Sequence, residues 1–167
     1  MKVAKAKRGS NGEFMSWIDI KMMYTWNVAQ EIMRFHPPVF GKFRLTTRDI
    51  SFGEFHIPKG CQLLRVASST HMDETIFEDP DKIDPSRFDT PSKLSPRFTY
   101  IPFGAGPRIC PGTEFARVES QLGIHNLITE YQWTEVIPDE PVTRAPIPYP
   151  AMGLPLKLEP ENVKIEG

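Results

Sequence analysis

The 167-residue sequence is poor in cysteine and has almost no net charge. Two cysteines, Cys61 and Cys110, are too few for a disulfide scaffold or for a zinc cluster of their own. This low cysteine count favours a reducing compartment, and a single disulfide bond between the two cysteines is the alternative. The 20 Lys and Arg residues nearly balance the 21 Asp and Glu residues, and the net charge of -1 is spread along the chain. This balance argues against a nucleic acid partner.

Long apolar runs are also missing. The apolar stretches fall far short of the roughly 18 residues that cross a bilayer. The N-terminus, MKVAKAKRGSNGEF, lacks the apolar core of a signal peptide. We therefore expect no membrane anchor within this chain, and we predict that residues 1–14 are a frayed or loop-like N-terminus.

The composition is otherwise that of a folded domain. Hydrophobic residues make up 40% of the chain, and 11 of them are Phe, which is enough to bury a core at this length. The 17 prolines restrict regular structure to short segments. We predict one α+β unit that spans residues 1–167.

Helical spacing of apolar residues predicts a first helix from about Ser16 to Phe35, because Pro37 and Pro38 forbid its continuation. Short strands and turns are predicted next. A proline-rich, mostly irregular segment follows, with one short helix near residues 73–77. Helical periodicity returns directly after Pro111 and Gly112, through Phe115, Val118, Leu122, His125 and Ile128, and the remainder is predicted to be strand and turn.

Residues 103–112, FGAGPRICPG, place Cys110 after a glycine-rich turn and at the start of the second long helix. The helix dipole and the charge of Arg108 favour a thiolate there. Gly104 and Gly106 would let the backbone approach a flat ligand closely. By chemistry alone, a buried structural cysteine is the alternative, since free cysteines are commonly buried.

Because Pro111 has no N–H, the donors available to the sulfur are the amides of Gly112 and Thr113. The four histidines, by contrast, have no metal-ligand spacing. We expect them on the surface or in packing.

The segment 103–112 resembles the FGxGxRxCxG signature of the haem-thiolate monooxygenases, the cytochrome P450 family. Two more matches occur in the family's order. Glu31 and Arg34 match its ExxR pair, and residues 85–88, PSRF, resemble its PERF element. Ser86 replaces the usual Glu, but Arg87 is retained. Without the resemblance, Glu31 and Arg34 would be interpreted as an exposed i,i+3 pair.

The resemblance implies a fold, a cofactor and roles for individual residues. The fold would be the C-terminal portion of the cytochrome P450 fold, which is mainly α in the parent. Cys110 would be the axial ligand of haem b, and its thiolate would favour O–O cleavage. Arg44 and Arg108 would pair with the propionates. The full cofactor-binding set is predicted to be Arg44, Phe103, Gly104, Arg108, Gly112 and Thr113.

Two further groups follow from the same resemblance. Glu31, Arg34 and Arg87 would form a buried structural network. The apolar residues that match substrate-recognition stretches of the family predict a pocket for a bulky lipophilic ligand. These residues are Val39, Phe40, Gly41, Phe43, Ala151 and Met152. For the phenylalanines, ordinary core packing is the alternative.

The similarity extends from about Asn11 to Pro160 and is closest to the plant triterpenoid-oxidising, beta-amyrin oxidase type. Relative to the family, the chain corresponds to about the C-terminal third. The membrane anchor, the substrate-access helices and the distal helix would be missing, so we expect no catalytic residue within it. The parent would use NADPH through cytochrome P450 reductase at the cytosolic face of the endoplasmic reticulum membrane.

Three functions are compatible with these features. The first is a monooxygenase whose parent inserts one atom of dioxygen into a lipophilic terpenoid or sterol-like substrate. The second is a truncated, non-catalytic paralogue without stable haem binding. The third, a haem-thiolate isomerase that acts on hydroperoxides, is less favoured because the cysteine loop has the compact monooxygenase length.

Overall fold

The computed structural model describes residues 24–89, 98–145 and 147–160. In this part of the chain, the helices are α1 (Tyr24–Phe35), α2 (Ala67–His71) and α3 (Thr113–Glu130). Short 3-10 turns occur at Pro85–Phe88 and Gly106–Arg108. None of the helices in these ranges is long and apolar enough to cross a membrane. The predicted N-terminal loop and the first turns of the first helix lie outside the described residues.

The strands form antiparallel pairs. β1 (Gly41–Leu45) pairs with β4 (Gln62–Val66), and β2 (Ile50–Phe52) pairs with β3 (Phe55–Ile57). Further along, β5 (Tyr131–Glu135) pairs with β8 (Leu156–Pro160), and β6 (Val142–Arg144) pairs with β7 (Pro148–Pro150). Helices and strands are thus both present, as the prediction of an α+β chain requires.

Helix α1 ends at Phe35, as the two prolines predict. The last bond of its final turn runs from the His36 amide to the Ile32 carbonyl. The prediction of a short helix near residues 73–77 is wrong: these residues form only a single turn, in which the amides of Ile76 and Phe77 donate to the Asp73 carbonyl, and the helix α2 lies upstream of it. The Asp73 carboxylate accepts hydrogen bonds from the amide and the hydroxyl of Thr75, which caps this single turn.

The buried centre of the described residues is largely polar. Its apolar members are Ala67, Phe77, Phe88 and Ile101, whereas the largest fully buried side chains are Arg34, His71, Gln121 and Glu31. Helix α3 also buries polar residues, whereas Phe115, the first apolar residue of its predicted periodicity, is 72% exposed. Arg117 of α3 donates to the carboxylate of Glu114 and to the side-chain oxygen of Gln121, which lets the helix bury charge.

Candidate functional site

The loop before Cys110 is held by backbone hydrogen bonds. The amide of Gly104 donates to the Ile101 carbonyl, and the amide of Cys110 donates to the Phe103 carbonyl, each at 3.0 Å. Gly104 and Gly106 both have positive φ, 83° and 72°, which other residues rarely adopt. The predicted glycine-rich turn is therefore a closed loop that ends at the cysteine.

The thiol of Cys110 is half-buried, forms no disulfide and lies just before α3. A Cβ atom at Gly112 would lie 3.7 Å from the Cys110 Sγ, so the backbone passes directly against the sulfur. The hydroxyl of Thr113 donates to the Cys110 carbonyl at 2.7 Å. The hydrogen bonds predicted from the Gly112 and Thr113 amides to the Cys110 sulfur are not present among the described residues.

A cleft of about 360 Å³ opens beside this loop. One wall is the backbone of Gly104, Ala105 and Gly106, and the rest is formed by Lys42, Arg44, Arg65, Thr70, Phe98 and Ile101. Three cations therefore face a wall of glycine-rich backbone. An anionic ligand with a flat apolar body fits this combination of positive charge, aromatic surface and closely approaching backbone.

The cations come from one hairpin. Lys42 and Arg44 are two residues apart on β1, so they share a face of the strand, and Lys42 is the register partner of Arg65 on β4. A Cβ atom at Gly104 would lie 3.1 Å from the Lys42 Nζ, the flexible end of a side chain that can shift, so it is the positive φ angle that favours glycine there.

Arg44, which the resemblance assigns to a haem propionate, lines this cleft, and its contact with such a group stays a prediction. Lys42 and Arg65 were not predicted, although the alternation of Lys42 with Arg44 along β1 is a signal for the first. Arg108 is exposed on the 3-10 turn and is not among the described residues that line the cleft. The structure therefore does not bring Arg44 and Arg108 together in this cleft.

The Glu31 carboxylate and the Arg34 guanidinium form a bidentate pair inside α1. Arg34 Nε donates to Glu31 Oε2 and Arg34 Nη2 donates to Glu31 Oε1, each at 2.9 Å, and both side chains are fully buried. The remaining Arg34 donors bind the His71 and Pro80 carbonyls at 2.8 and 2.7 Å. The pair is therefore a fully hydrogen-bonded cross-link between α1 and the segment that follows α2.

Arg87 joins this pair from the 3-10 turn at Pro85–Phe88. Its Nε lies 3.4 Å from Glu31 Oε1, and its Nη2 donates to the Asp79 carbonyl at 3.0 Å. The amide of Asp84 also donates to Glu31 Oε1. The structure thus brings together the three residues of the predicted network, with Arg87 at its edge, where 15% of the side chain is exposed.

The residues predicted to line a substrate pocket lie in two separate sheets. Val39, Phe40 and Phe43 flank or belong to β1, and Met152 follows β7; all four side chains are exposed. Ala151 lies in the same turn, where the carboxylate of Glu140 accepts hydrogen bonds from the amides of Met152 and Leu154. The sequence did not single out Glu140.

Gly41 has a structural reason of its own. A Cβ atom at this position would lie 2.6 Å from the Arg65 carbonyl oxygen of β4. Glycine is required at this position because β1 and β4 approach closely, and this explanation needs no ligand.

His71 is a fully buried residue that the sequence assigned only to surface or packing. Its Nδ1 lies 3.2 Å from the Arg34 carbonyl oxygen, and its Nε2 lies 3.0 Å from the Ile101 amide. Burial lowers the pKa of His71 to about 4, and the charges of Arg34 and Arg65 also lower it, while the bond to the Arg34 carbonyl raises it. The imidazole is therefore neutral at pH 7.

A family model described as cytochrome P450 matches residues 7–158. The chain belongs to the cytochrome P450 family. Among curated relatives, it is 47% identical to the beta-amyrin 28-monooxygenase of Saponaria officinalis over 97% of this chain and 33% of the relative. It is 44% identical to the protopanaxadiol 6-hydroxylase of Panax ginseng over 96% of this chain and 34% of the relative.

A solved structure gives the same result for the fold. The retinoic acid-bound cyanobacterial cytochrome P450 CYP120A1 is 35% identical and superposes with a TM-score of 0.83, over 96% of this chain and 38% of that one. The described fold is thus part of the cytochrome P450 fold, as the sequence motifs predicted. The chain spans about a third of the length of the curated relatives it matches.

Cytochromes P450 contain haem, and the residues of this chain fit one. Cys110 supplies a thiol at the end of a tight loop, and two of the three residues of the cleft wall, Gly104 and Gly106, have no side chain. Lys42, Arg44 and Arg65 supply positive charge for the two carboxylates that haem carries. Cys110 itself is not among the described residues that line the cleft.

Proposed function

We propose that this chain is the haem-thiolate part of a cytochrome P450 monooxygenase that inserts one atom of dioxygen into a lipophilic terpenoid or sterol-like substrate. One observation carries the proposal: a free cysteine ends a glycine-rich loop beside a cleft lined by three cations. In this family the cysteine of such a loop is the ligand of the haem iron, and that cysteine would be Cys110 here.

The chain's own residues have distinct tasks in this function. Cys110 would bind iron through its sulfur, and the cation set would hold the carboxylates. When bound, haem supplies the iron centre at which dioxygen is activated. The Glu31–Arg34–Arg87 network fixes α1 to the segment before the cysteine loop, so its task is structural.

The names of the relatives support the substrate class. Beta-amyrin 28-monooxygenases of Saponaria officinalis and Panax ginseng are 47% and 46% identical to this chain. The apolar side chains of Val39, Phe40, Phe43 and Met152 are suited to contact a bulky lipophilic ligand. Ala151 adjoins Met152 and would leave room for such a ligand, whereas Gly41 is explained by the close approach of β4.

Electrons and cellular location complete the proposal. The whole protein would receive electrons from NADPH through cytochrome P450 reductase, at the cytosolic face of the endoplasmic reticulum membrane. Arg108, exposed within the Cys110 loop, offers a positive charge for an acidic partner there.

The test is a chimera that joins the preceding part of the Panax ginseng beta-amyrin 28-monooxygenase to this chain. Supplied with haem, NADPH, cytochrome P450 reductase and beta-amyrin, it should form an oxygenated triterpene, measured by mass spectrometry with ¹⁸O₂ as the oxygen source. Incorporation of one ¹⁸O atom is expected. The 167 residues alone should give no substrate-dependent hydroxylation.

A chimera with Cys110→Ser is the control for the contribution of this chain. It should give no product, whereas a chimera with Cys61→Ser should retain activity. If the chimera folds but binds no haem, the alternative of a non-catalytic paralogue is favoured and the proposal fails.

A further inference from the structure

His71 lies between two parts of the molecule that the sequence places far apart. It ends α2, its side chain is fully buried, and it contacts both α1 and the start of the cysteine loop. The ring stacks on Tyr100 with centroids 5.5 Å apart, and the Tyr100 hydroxyl donates to the Gln30 carbonyl of α1. Aromatic packing and hydrogen bonds therefore hold the imidazole in one orientation.

The hydrogen bonds fix the tautomer. The amide of Ile101 can only donate, so His71 Nε2 must accept, at 3.0 Å. A neutral imidazole with an unprotonated Nε2 carries its proton on Nδ1, which then donates to the Arg34 carbonyl at 3.2 Å. Protonation of Nε2 would set two donors against each other, and the lowered pKa of His71 keeps the neutral form at physiological pH.

The contact continues toward the thiol through the backbone. Ile101, whose amide His71 holds, accepts the hydrogen bond of the Gly104 amide at its carbonyl. Gly104 follows Phe103, whose carbonyl accepts the amide of Cys110. The His71 imidazole therefore holds Ile101, the residue whose carbonyl accepts the first hydrogen bond of the loop that ends at Cys110.

We propose that His71 is a positioning residue for the Cys110 loop, and that its Nε2 sets the loop's position by accepting the Ile101 amide. It acts through Ile101 and does not touch the thiol. The other ring nitrogen of His71, Nδ1, is hydrogen-bonded to the Arg34 carbonyl, so His71 connects the buried network of α1 to the loop. The proposal rests on the proposed function only for its consequence at the iron ligand.

Two amide substitutions separate the two nitrogens of the ring. In His71→Gln, the side-chain amide reaches the ε position and supplies an oxygen acceptor for Ile101. In His71→Asn, the amide reaches only the δ position, so it keeps a donor for Arg34 and leaves the buried Ile101 amide without a partner. Losing such a partner destabilises the closed state, so we expect the Ile101 amide to exchange about tenfold faster in the Asn variant.

The first measurement is residue-resolved hydrogen exchange on the 167-residue chain. In His71→Asn, the amides of Ile101, Gly104 and Cys110 should exchange faster than in the unchanged chain, and His71→Gln should restore much of their protection. His36→Asn, at an exposed histidine just past α1, is the matched control and should change none of these amides. Equal behaviour of the Asn and Gln variants, whether both are protected or both unfold, would overturn the proposal.

The second measurement is the absorption of the reduced CO complex in the haem-loaded chimera. His71→Asn should lose part of the red-shifted Soret band that reports thiolate ligation, and His71→Gln should retain it. A full band in His71→Asn would overturn the consequence at the iron ligand. If the unchanged chimera shows no such band, the proposed function fails, whereas the exchange result for Ile101 stands on its own.

Discussion

Replacing Glu31 by Gln tests the buried network at its centre. The two side chains have nearly the same shape, so packing is kept while one charge is removed. Glu31 accepts four hydrogen bonds: two from Arg34, one from the Asp84 amide and one from Arg87. In Glu31→Gln, one carboxylate oxygen becomes an NH₂ group that faces other donors, and the fully buried Arg34 loses its counter-charge.

Removing one partner of a buried ion pair costs about 3 to 5 kcal/mol, because the other charge is left uncompensated. A domain of this size has a total stability of about 5 to 15 kcal/mol. With an m-value of about 2 kcal/mol/M, the midpoint of urea unfolding should fall by about 1.5 to 2.5 M.

The assay is urea unfolding followed by circular dichroism and tryptophan fluorescence. Asp79→Asn is the matched control, because Asp79 also pairs with a cation three residues away, Lys82, but both side chains are largely exposed. Asn also tolerates the positive φ of this position, 45°. The control should unfold at the parent's midpoint. A Glu31→Gln midpoint equal to that of the parent would refute the assignment of a buried, charge-dependent network.

Three further predictions follow from single residues. The pKa of His71 is about 4 in the folded chain and 6.5 when unfolded, so the folded state binds fewer protons between these pH values. The free energy of unfolding should therefore fall as the pH drops from 6.5 to 4, by about 3 kcal/mol at most. Urea unfolding at several pH values should show this slope for the parent and a flatter one for His71→Gln. Gly104→Ala, at φ 83°, should destabilise the chain by about 1 to 3 kcal/mol and weaken haem binding. Gly123→Ala, in open space on α3, should instead stabilise the chain by about 0.5 to 1 kcal/mol. Equal melting curves for the two variants would contradict a conformational requirement for glycine at position 104. In the active chimera, Met152→Ala should change the position of oxidation, and altered stability with identical products would favour ordinary packing instead.

The parts of the fold that local chemistry decides were predicted from the sequence. The end of α1 at Phe35 follows from two prolines, and the start of α3 follows from Pro111 and Gly112. Glu31 and Arg34 are one helical turn apart, so their pairing needed only the prediction that the helix exists. Their burial was inferred from the family motif, because an isolated i,i+3 pair is usually exposed.

The parts that depend on distant segments were missed. Arg65 lies beside the cleft because of the register between β1 and β4, which no local pattern specifies. His71 is buried because α2 places it between α1 and Ile101. The sequence predicts a short helix near residues 73–77, downstream of α2, and therefore does not indicate this burial. The exposure of Phe115 on α3 likewise depends on which elements pack against that helix.

The central claim is that Cys110 is the iron ligand of a haem-thiolate site, and Cys61 is its natural control. Both thiols are half-buried and free, but Cys61 lies next to β4, where its amide and carbonyl bond to Thr46. The decisive measurement is the absorption spectrum of the reduced CO complex of the haem-loaded chimera and its two Ser variants. Cys110→Ser should abolish the red-shifted Soret band and Cys61→Ser should leave it intact. A band that survives in Cys110→Ser, or is lost in Cys61→Ser, would contradict the claim.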